Sequence, residues 1–382
     1  MDFELDAAAR ERRAAARAFA EGLKPLAGEW EQAEAIAPDR LREAGRLGLF
    51  GMLVEREYGG AGLDALAYAA VLEEIARGSA AFHGCLSVHN SLVCAAVGRF
   101  GTPEQKSLYL PRLASGEIVG AYSLSEAGSG SDAGSITTKA VPVEGGFSID
   151  GAKCWVTNGG IAGLFVVFVS TSPAAGSRGI SCFLVESQTP GFTIGRKERK
   201  MGLRASDTRE LHFRDCRVPR RALLGSMHGG FKIAMRLLDG GRVGIGAQAV
   251  GIAQAALEEA VAYAKAHRRF ARPIAEFQLV QAKLADMATG VEAARLLVRR
   301  AAALLARGER CTKEASMAKL FATTTANRVV HDAVQIHGAD GCSRDFSVER
   351  FYRDARAGEI YEGTSEIQRL LIAREVLREA AP

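Results

Sequence analysis

The chain has 382 residues, more than one hydrophobic core usually serves, so two or three packed units are expected. It is 48% apolar and 24% charged with a formal net charge of +5; without a basic tail carrying interleaved aromatics, this mild balance argues against nucleic acid and suits an anionic small ligand or an acidic carrier protein. Seven scattered cysteines (Cys85, Cys94, Cys154, Cys182, Cys216, Cys311 and Cys342) include no CxxC pair, which argues against a zinc site and against a disulfide framework.

The N-terminal stretch "MDFELDAAARERRAAARAFA" turns helical without an apolar signal core. No run reaches the ~18 consecutive apolar residues of a membrane span. A cytoplasmic location is the expectation. Up to about residue 118 the apolar spacing is helical. "LDALAYAAVLEEIARG" places Leu63, Leu66, Ala67, Ala70 and Leu72 near one face and ends at Gly78. "GTPEQKSLYLPRLASG" begins another helix, with Thr102 as N-cap and Pro103 at the first helical position.

The period then changes to that of strands. "VGAYSLSE" alternates, and "FSIDGAKCWV" reads as two strands joined at Asp150-Gly151, a two-residue hairpin signal. "LFVVFVS", "GISCFLVE" and "ELHFRDCRVP" extend a compact β-unit over residues 119–225. Helical spacing returns at 226 and persists to 382, where long amphipathic segments predict a four-helix bundle.

Five stretches carry residues suited to chemistry. "AYSLSEAGSGSD" leaves a strand and can present backbone N–H groups with the Ser125 and Ser131 hydroxyls to a polar ligand; no βαβ unit follows, so it is not a dinucleotide fingerprint. Trp155 and Thr157 share a strand face, as core filler or as a platform for a flat ring. Asp239 and Arg242 share a helical face among Gly240, Gly241, Gly244 and Gly246; each glycine weakens a helix by about 1 kcal/mol, which close helix packing or a closely approaching ligand would explain. "QIHGADG" is a helix end capped by Gly338. In "EIYEGTSEIQRL", Ser365 and Gln368 fit a capping box, and the final helix starts near Glu366. Glu362, just upstream, either complements the helix dipole or is a base.

In order and spacing, "YSLSEAGSGSD", "WVTNGG", "LLDGGRVGIGAQAVGIAQ", "RPIAEFQLVQAKLADM", "QIHGADG" and "RDARAGEIYEGTSEIQRLLIAREVL" resemble the acyl-CoA dehydrogenase family. "SVHNSLV" and "GFKIAM…LDGGR" look most like its short-chain, butyryl-CoA type members. The resemblance implies a mostly α, α+β fold: an N-terminal helical domain (1–118), a middle β-barrel-like domain (119–225) and a C-terminal four-helix bundle (226–382), assembled as a homotetramer. It implies FAD as cofactor. Tyr122, Leu124, Ser125 and Ser131 match the loop bordering flavin and thioester, Trp155 and Thr157 the flavin's neighbours, and Asp239 and Arg242 the acyl-CoA channel. Gln278, Gln335 and Gly338 match contacts to the ADP part of FAD, some reaching a neighbouring subunit, and Thr364 and Glu366 match further FAD contacts.

Glu362 matches the family's catalytic base, which takes the α-proton of an acyl thioester while flavin N5 accepts the β-hydride. A carboxylate with a raised pKa in a dry site suits that step. The resemblance assigns the enolate's donors to the Glu362 backbone N–H, with Gly363 beside it, and to a flavin hydroxyl. Some branches carry the base at the position of Gly241, where glycine cannot serve. Two departures concern the dinucleotide end: His267 replaces a phosphate-binding Arg and Ala271 a Gly, with Ala339 and Cys342 also unlike the common pattern, so looser FAD binding is expected. The implied activity is α,β-dehydrogenation of a short or short branched acyl-CoA, with an electron-transfer flavoprotein as acceptor. Alternatives on the same fold are a dehydrogenase of carrier-protein-tethered acyl groups, a flavin monooxygenase and a non-catalytic binding relative.

Overall fold

The computed structural model describes residues 4–379. Helices α1 (Ala7–Leu23), α2 (Ala27–Ala33), α3 (Pro38–Arg46), α4 (Ala65–Gly78), α5 (Ala80–Ser87), α6 (Ala95–Phe100) and α7 (Pro103–Ala114) form the N-terminal part, with a π-helical turn at Val88–Cys94 between α5 and α6. Thr102 caps α7 as expected. Its hydroxyl accepts from Gln105 N while the Gln105 side chain returns to Thr102 N, and Pro103 follows. The run Ala80–Phe100 has the length and hydropathy to cross a membrane, but 83% of its most apolar window is buried inside the protein, where it serves as core.

Strands β1 (Val119–Ser123), β2 (Lys139–Val143), β3 (Gly146–Thr157), β4 (Ala162–Ser170), β5 (Ile180–Glu186), β6 (Phe192–Lys197), β7 (Thr208–Pro219) and β8 (Leu223–Leu224) make one sheet in the order β6-β7-β3-β2-β4-β5-β8, with β1 added parallel to β4. Strand β4 is buried on both faces. Leu164, Val166 and Phe168 pack on Leu92, Val93 and Leu237 of the helices, while Phe165, Val167 and Val169 pack on Phe183 and Phe213 within the β-unit. One strand thus joins two cores.

The Asp150-Gly151 hairpin does not form. Residues 146–157 are one continuous strand, β3, paired to β7, and Gly151 (φ 142°) marks a bulge where the register shifts. A Cβ there would approach the Thr138 backbone to 2.7 Å, and the Asp150 carboxylate accepts from Asp215 N at 2.9 Å across the sheet. The glycine serves the close approach of a neighbouring segment, which a local turn signal cannot distinguish from a hairpin.

The C-terminal part holds α8 (Gly230–Ala266), the short ribbon β9 (Arg268–Arg269) and β10 (Arg272–Pro273), then α9 (Gln278–Ala306), α10 (Thr312–His337), α11 (Ser347–Ala357) and α12 (Ser365–Glu379). Alanine-rich faces of α8, α9 and α10 pack together with α4 in the largest core cluster. The glycines of the 37-residue α8 are explained by what presses on them: a Cβ on Gly244 would meet Ser87 Oγ at 2.6 Å, one on Gly246 would meet Val298 at 2.8 Å, and one on Gly241 would overlap the Glu362 carboxylate.

At Gly251, α8 crosses α4 so closely that a Cβ would overlap the Glu73 carbonyl and sit 2.6 Å from Ala76 Cβ. Backbone on both sides leaves little room to relax. Gly251→Ala is expected to lower stability by about 1–3 kcal/mol, the usual range for overpacking a core. A urea midpoint equal to that of the native chain would show that the two helices can part at no cost.

Candidate active site

Glu362 lies in the connection between α11 and α12, at a left-handed φ of 51°, followed by Gly363 at φ 96°. A non-glycine residue there costs on the order of 1–3 kcal/mol and persists only when its neighbours hold it. Two side chains do so. Lys319 Nζ, fully buried on α10, donates to the Gly363 carbonyl at 2.7 Å, and Gln368 Nε2 donates to the same oxygen at 3.0 Å.

This arrangement corrects the expected capping box. Thr364, not Ser365, is the N-cap, its hydroxyl accepting from Ile367 N at 3.4 Å, and α12 begins at Ser365. Gln368 points back at the Glu362–Gly363 turn instead of at a cap. Glu366 is exposed, its carboxyl held low by its own backbone N–H and by the Thr364 side chain.

The Glu362 carboxylate runs over Gly241, where α8 has no side chain to obstruct it, and its Oε2 is buried without a hydrogen-bond partner. Burial raises its pKa to about 7, and the positive charges of Lys319 and Arg242 moderate the rise. A carboxyl that burial brings to titrate near neutrality, with one oxygen buried and unpaired, is equipped for general-base work. Tyr122, on β1, brings the β-unit to the same place: its hydroxyl is also buried and unpartnered, and burial with the nearby Glu362 charge keeps it protonated.

Arg242 is almost fully buried and donates to Asp239 Oδ1 at 2.6 Å, while Asp239 Oδ2 accepts from Thr312 Oγ1 at 2.9 Å. The two residues expected in an acyl-CoA channel therefore hold each other, and Arg242 Nε remains without a partner. Beside them a cavity of about 250 Å³ is lined by Tyr68, Ser91, Cys94, Leu237, Gly240 and Val243, among others. A larger one, about 320 Å³, is walled by arginines and glutamates such as Arg77, Glu258 and Arg299, and lacks the apolar lining an acyl chain needs.

The loop after β1 is rigid for a reason the sequence did not disclose. Lys153 Nζ, buried under it, donates to the Leu124 carbonyl at 3.0 Å and to Glu126 Oε1 at 2.8 Å. Glu126 also accepts from Thr137 N, Thr137 Oγ1 and Thr138 N, so it stays ionised despite burial. Cys154 N donates to the Ser125 carbonyl at 3.0 Å, tying the loop to β3. Next to that tie Trp155 adopts φ 58° where the β3–β7 register shifts, and is 60% exposed. Trp155 and Thr157 flank the buried Val156, and Ser131 is exposed at the far end of the loop. An exposed indole, a braced loop of backbone donors and the open space at Gly128 and Gly130 fit a planar ring with polar edges, as FAD presents.

The residues expected at the ADP end lie elsewhere. Gln278 begins α9, Gln335 is exposed near the end of α10, and Gly338 (φ 62°) caps α10. His267 stacks on Tyr263 with 3.5 Å between ring centroids, and Tyr263 Oη donates to Asp340 at 2.7 Å. Ala271 takes φ 65° after Phe270 at φ 48°, so it occupies a conformation that glycine adopts more readily.

Sequence reasoning missed Lys319, Lys153 and Glu126. Lys319 had a readable signal: it falls on the buried stripe of α10 with Ala315, Ala318 and Ala322, where a charge is out of place.

Three family descriptions match in succession: acyl-CoA dehydrogenase N-terminal domain at residues 6–117, middle domain at 121–216 and C-terminal domain at 228–377. An acyl-CoA dehydrogenase of Bacillus subtilis is 50% identical, over 93% of this chain and 94% of its own. The human mitochondrial short-chain specific acyl-CoA dehydrogenase is 48% identical, over 95% of this chain and 88% of its own. The butyryl-CoA dehydrogenase structure from Megasphaera elsdenii superposes with a TM-score of 0.97 at 40% identity, over 99% of this chain and 100% of that one. The chain therefore belongs to the acyl-CoA dehydrogenase family, as an FAD-dependent oxidoreductase of the short-chain type.

Proposed function

We propose that the protein oxidises a short or short branched acyl-CoA to the 2-enoyl-CoA, with Glu362 removing the α-proton. The observation that carries this reading is the Glu362 carboxylate lying over Gly241, its Oε2 buried without a hydrogen-bond partner. No side chain at 241 can take the role, and none obstructs it. The carboxylate is thermodynamically ready: desolvation raises its proton affinity, and the proton it takes is made acidic by the thioester.

The remaining residues bind and orient. The Glu362 and Gly363 backbone, fixed by Lys319 and Gln368, is suited to receive the thioester oxygen. Tyr122, Leu124, Ser125, Ser131, Trp155 and Thr157 would hold the flavin, and Gln278, Gln335, Gly338, Thr364 and Glu366 the rest of the dinucleotide. FAD, when bound, supplies the hydride acceptor for the β-carbon. Asp239 and Arg242 close one wall of the thioester site, and the small cavity lined by Tyr68 and Val243 suits a short acyl tail. An electron-transfer flavoprotein takes the electrons onward. A homotetramer belongs to the same reading, supported by Phe270 and Leu279, which are 91% and 82% exposed beside Gln278.

Butyryl- or isobutyryl-CoA added anaerobically is expected to bleach the yellow protein; an unbleached spectrum across short, branched and longer thioesters would refute the substrate class. Glu362→Gln is expected to keep FAD and slow reduction at least ~100-fold, and near-native reduction would place the base elsewhere. Because the base must be ionised, reduction at limiting thioester should rise with pH through about 7 and then level. A rate flat from well below that point would contradict a base of this pKa.

A further inference from the structure

Lys319 is fully buried in the N-terminal third of α10, and its ammonium meets the Gly363 carbonyl at 2.7 Å, one residue beyond Glu362. Burying a lysine against a single neutral acceptor is costly unless its charge is compensated nearby. The compensation becomes visible when the surrounding charges are paired off. Arg242 on α8 is neutralised by Asp239 at 2.6 Å. Glu359 is bonded to Arg356 at 2.7 Å, and Glu366 on α12 is exposed. Tyr68 on α4, Tyr122 on β1 and Tyr361 have their pKa values pushed up by burial and remain neutral. Two charges are left without a counter-ion of their own: the Lys319 ammonium and the Glu362 carboxylate.

We propose that Lys319 is the positioning residue for Glu362, locking the left-handed Glu362–Gly363 turn through the Gly363 carbonyl and supplying the buried counter-charge that keeps the carboxylate ionisable. This rests on the reading of Glu362 as the base. The two roles are mechanically joined. The hydrogen bond turns the Gly363 carbonyl toward α10, and the charge offsets the desolvation of the carboxylate over Gly241. The perturbations are mutual in direction: Lys319 lowers the pKa of Glu362, and Glu362 raises that of Lys319, which burial nonetheless holds down at about 8.

The test follows the Glu362 carboxyl itself by isotope-edited infrared difference spectroscopy on ¹³C-glutamate protein, with Glu362→Gln assigning its band. In Lys319→Met the midpoint of that band should move up by about one pH unit or more, a loss of counter-charge worth about tenfold in ionisation. Lys319→Arg, which restores the charge, should bring the midpoint back toward the native value. FAD content should be native in both, and thioester-driven reduction at neutral pH should fall at least about tenfold in Lys319→Met, in kcat more than in KM. If Lys319→Met does not fold, Lys319→Gln, whose amide can still donate but carries no charge, should show the same upward shift. An unmoved midpoint in a folded, uncharged variant overturns the proposal, as does an arginine variant that titrates like the uncharged one. If Glu362→Gln reduced at the native rate, the base assignment would fall, whereas the infrared midpoint would still report separately on the Lys319–Glu362 coupling.

Discussion

Placing one carboxylate against α8, with its Oε2 buried and without a hydrogen bond, is the constraint from which the rest of the site follows. A buried carboxyl without partners tends to protonate or to swing toward water. Here it titrates near neutrality, and its swing toward water is restricted. Its backbone is held in a left-handed turn by donors from α10 and α12, and α8 gives it a groove by omitting a side chain at Gly241. The cost is real, and the neighbouring helices offset it through their packing.

That packing explains the unusual composition of α8. A 37-residue helix with glycines at 240, 241, 244, 246 and 251 would be weak in isolation. Inside the bundle Gly241, Gly244, Gly246 and Gly251 are where Glu362, Ser87, Val298 and the α4 backbone approach. Close helix packing accounts for Gly244, Gly246 and Gly251, and the close approach at Gly241 is that of the Glu362 side chain.

The β-unit contributes a second buried charge system. Lys153 and Glu126 sit under the loop after β1, and their hydrogen bonds to Leu124, Thr137 and Thr138 fix backbone that would otherwise be a flexible Gly/Ser segment. The two lysines, Lys153 and Lys319, are alike: each is buried, each bonds a carbonyl, and each braces a loop. Preorganisation of this kind lets binding energy go into the transition state and not into ordering the site.

Much was legible in the sequence. Hydrophobic period separated helices, strands and helices in the right order, Thr102 and Gly338 marked helix ends, and the ordered motifs led to the family and to Glu362. What was misread were signals whose meaning is set across space. Asp150-Gly151 has the composition of a hairpin, yet the glycine admits Thr138 and the strand continues. Ser365 and Gln368 have the spacing of a capping box, yet Gln368 is drawn to the Gly363 carbonyl. By itself the sequence determined element types, their order and the acid at 362, because those depend on local periodicity and residue chemistry. Only the tertiary structure decided that this acid is desolvated, where its counter-charge sits and which glycine makes room for it, because burial and electrostatics belong to surroundings assembled from residues far apart in the chain.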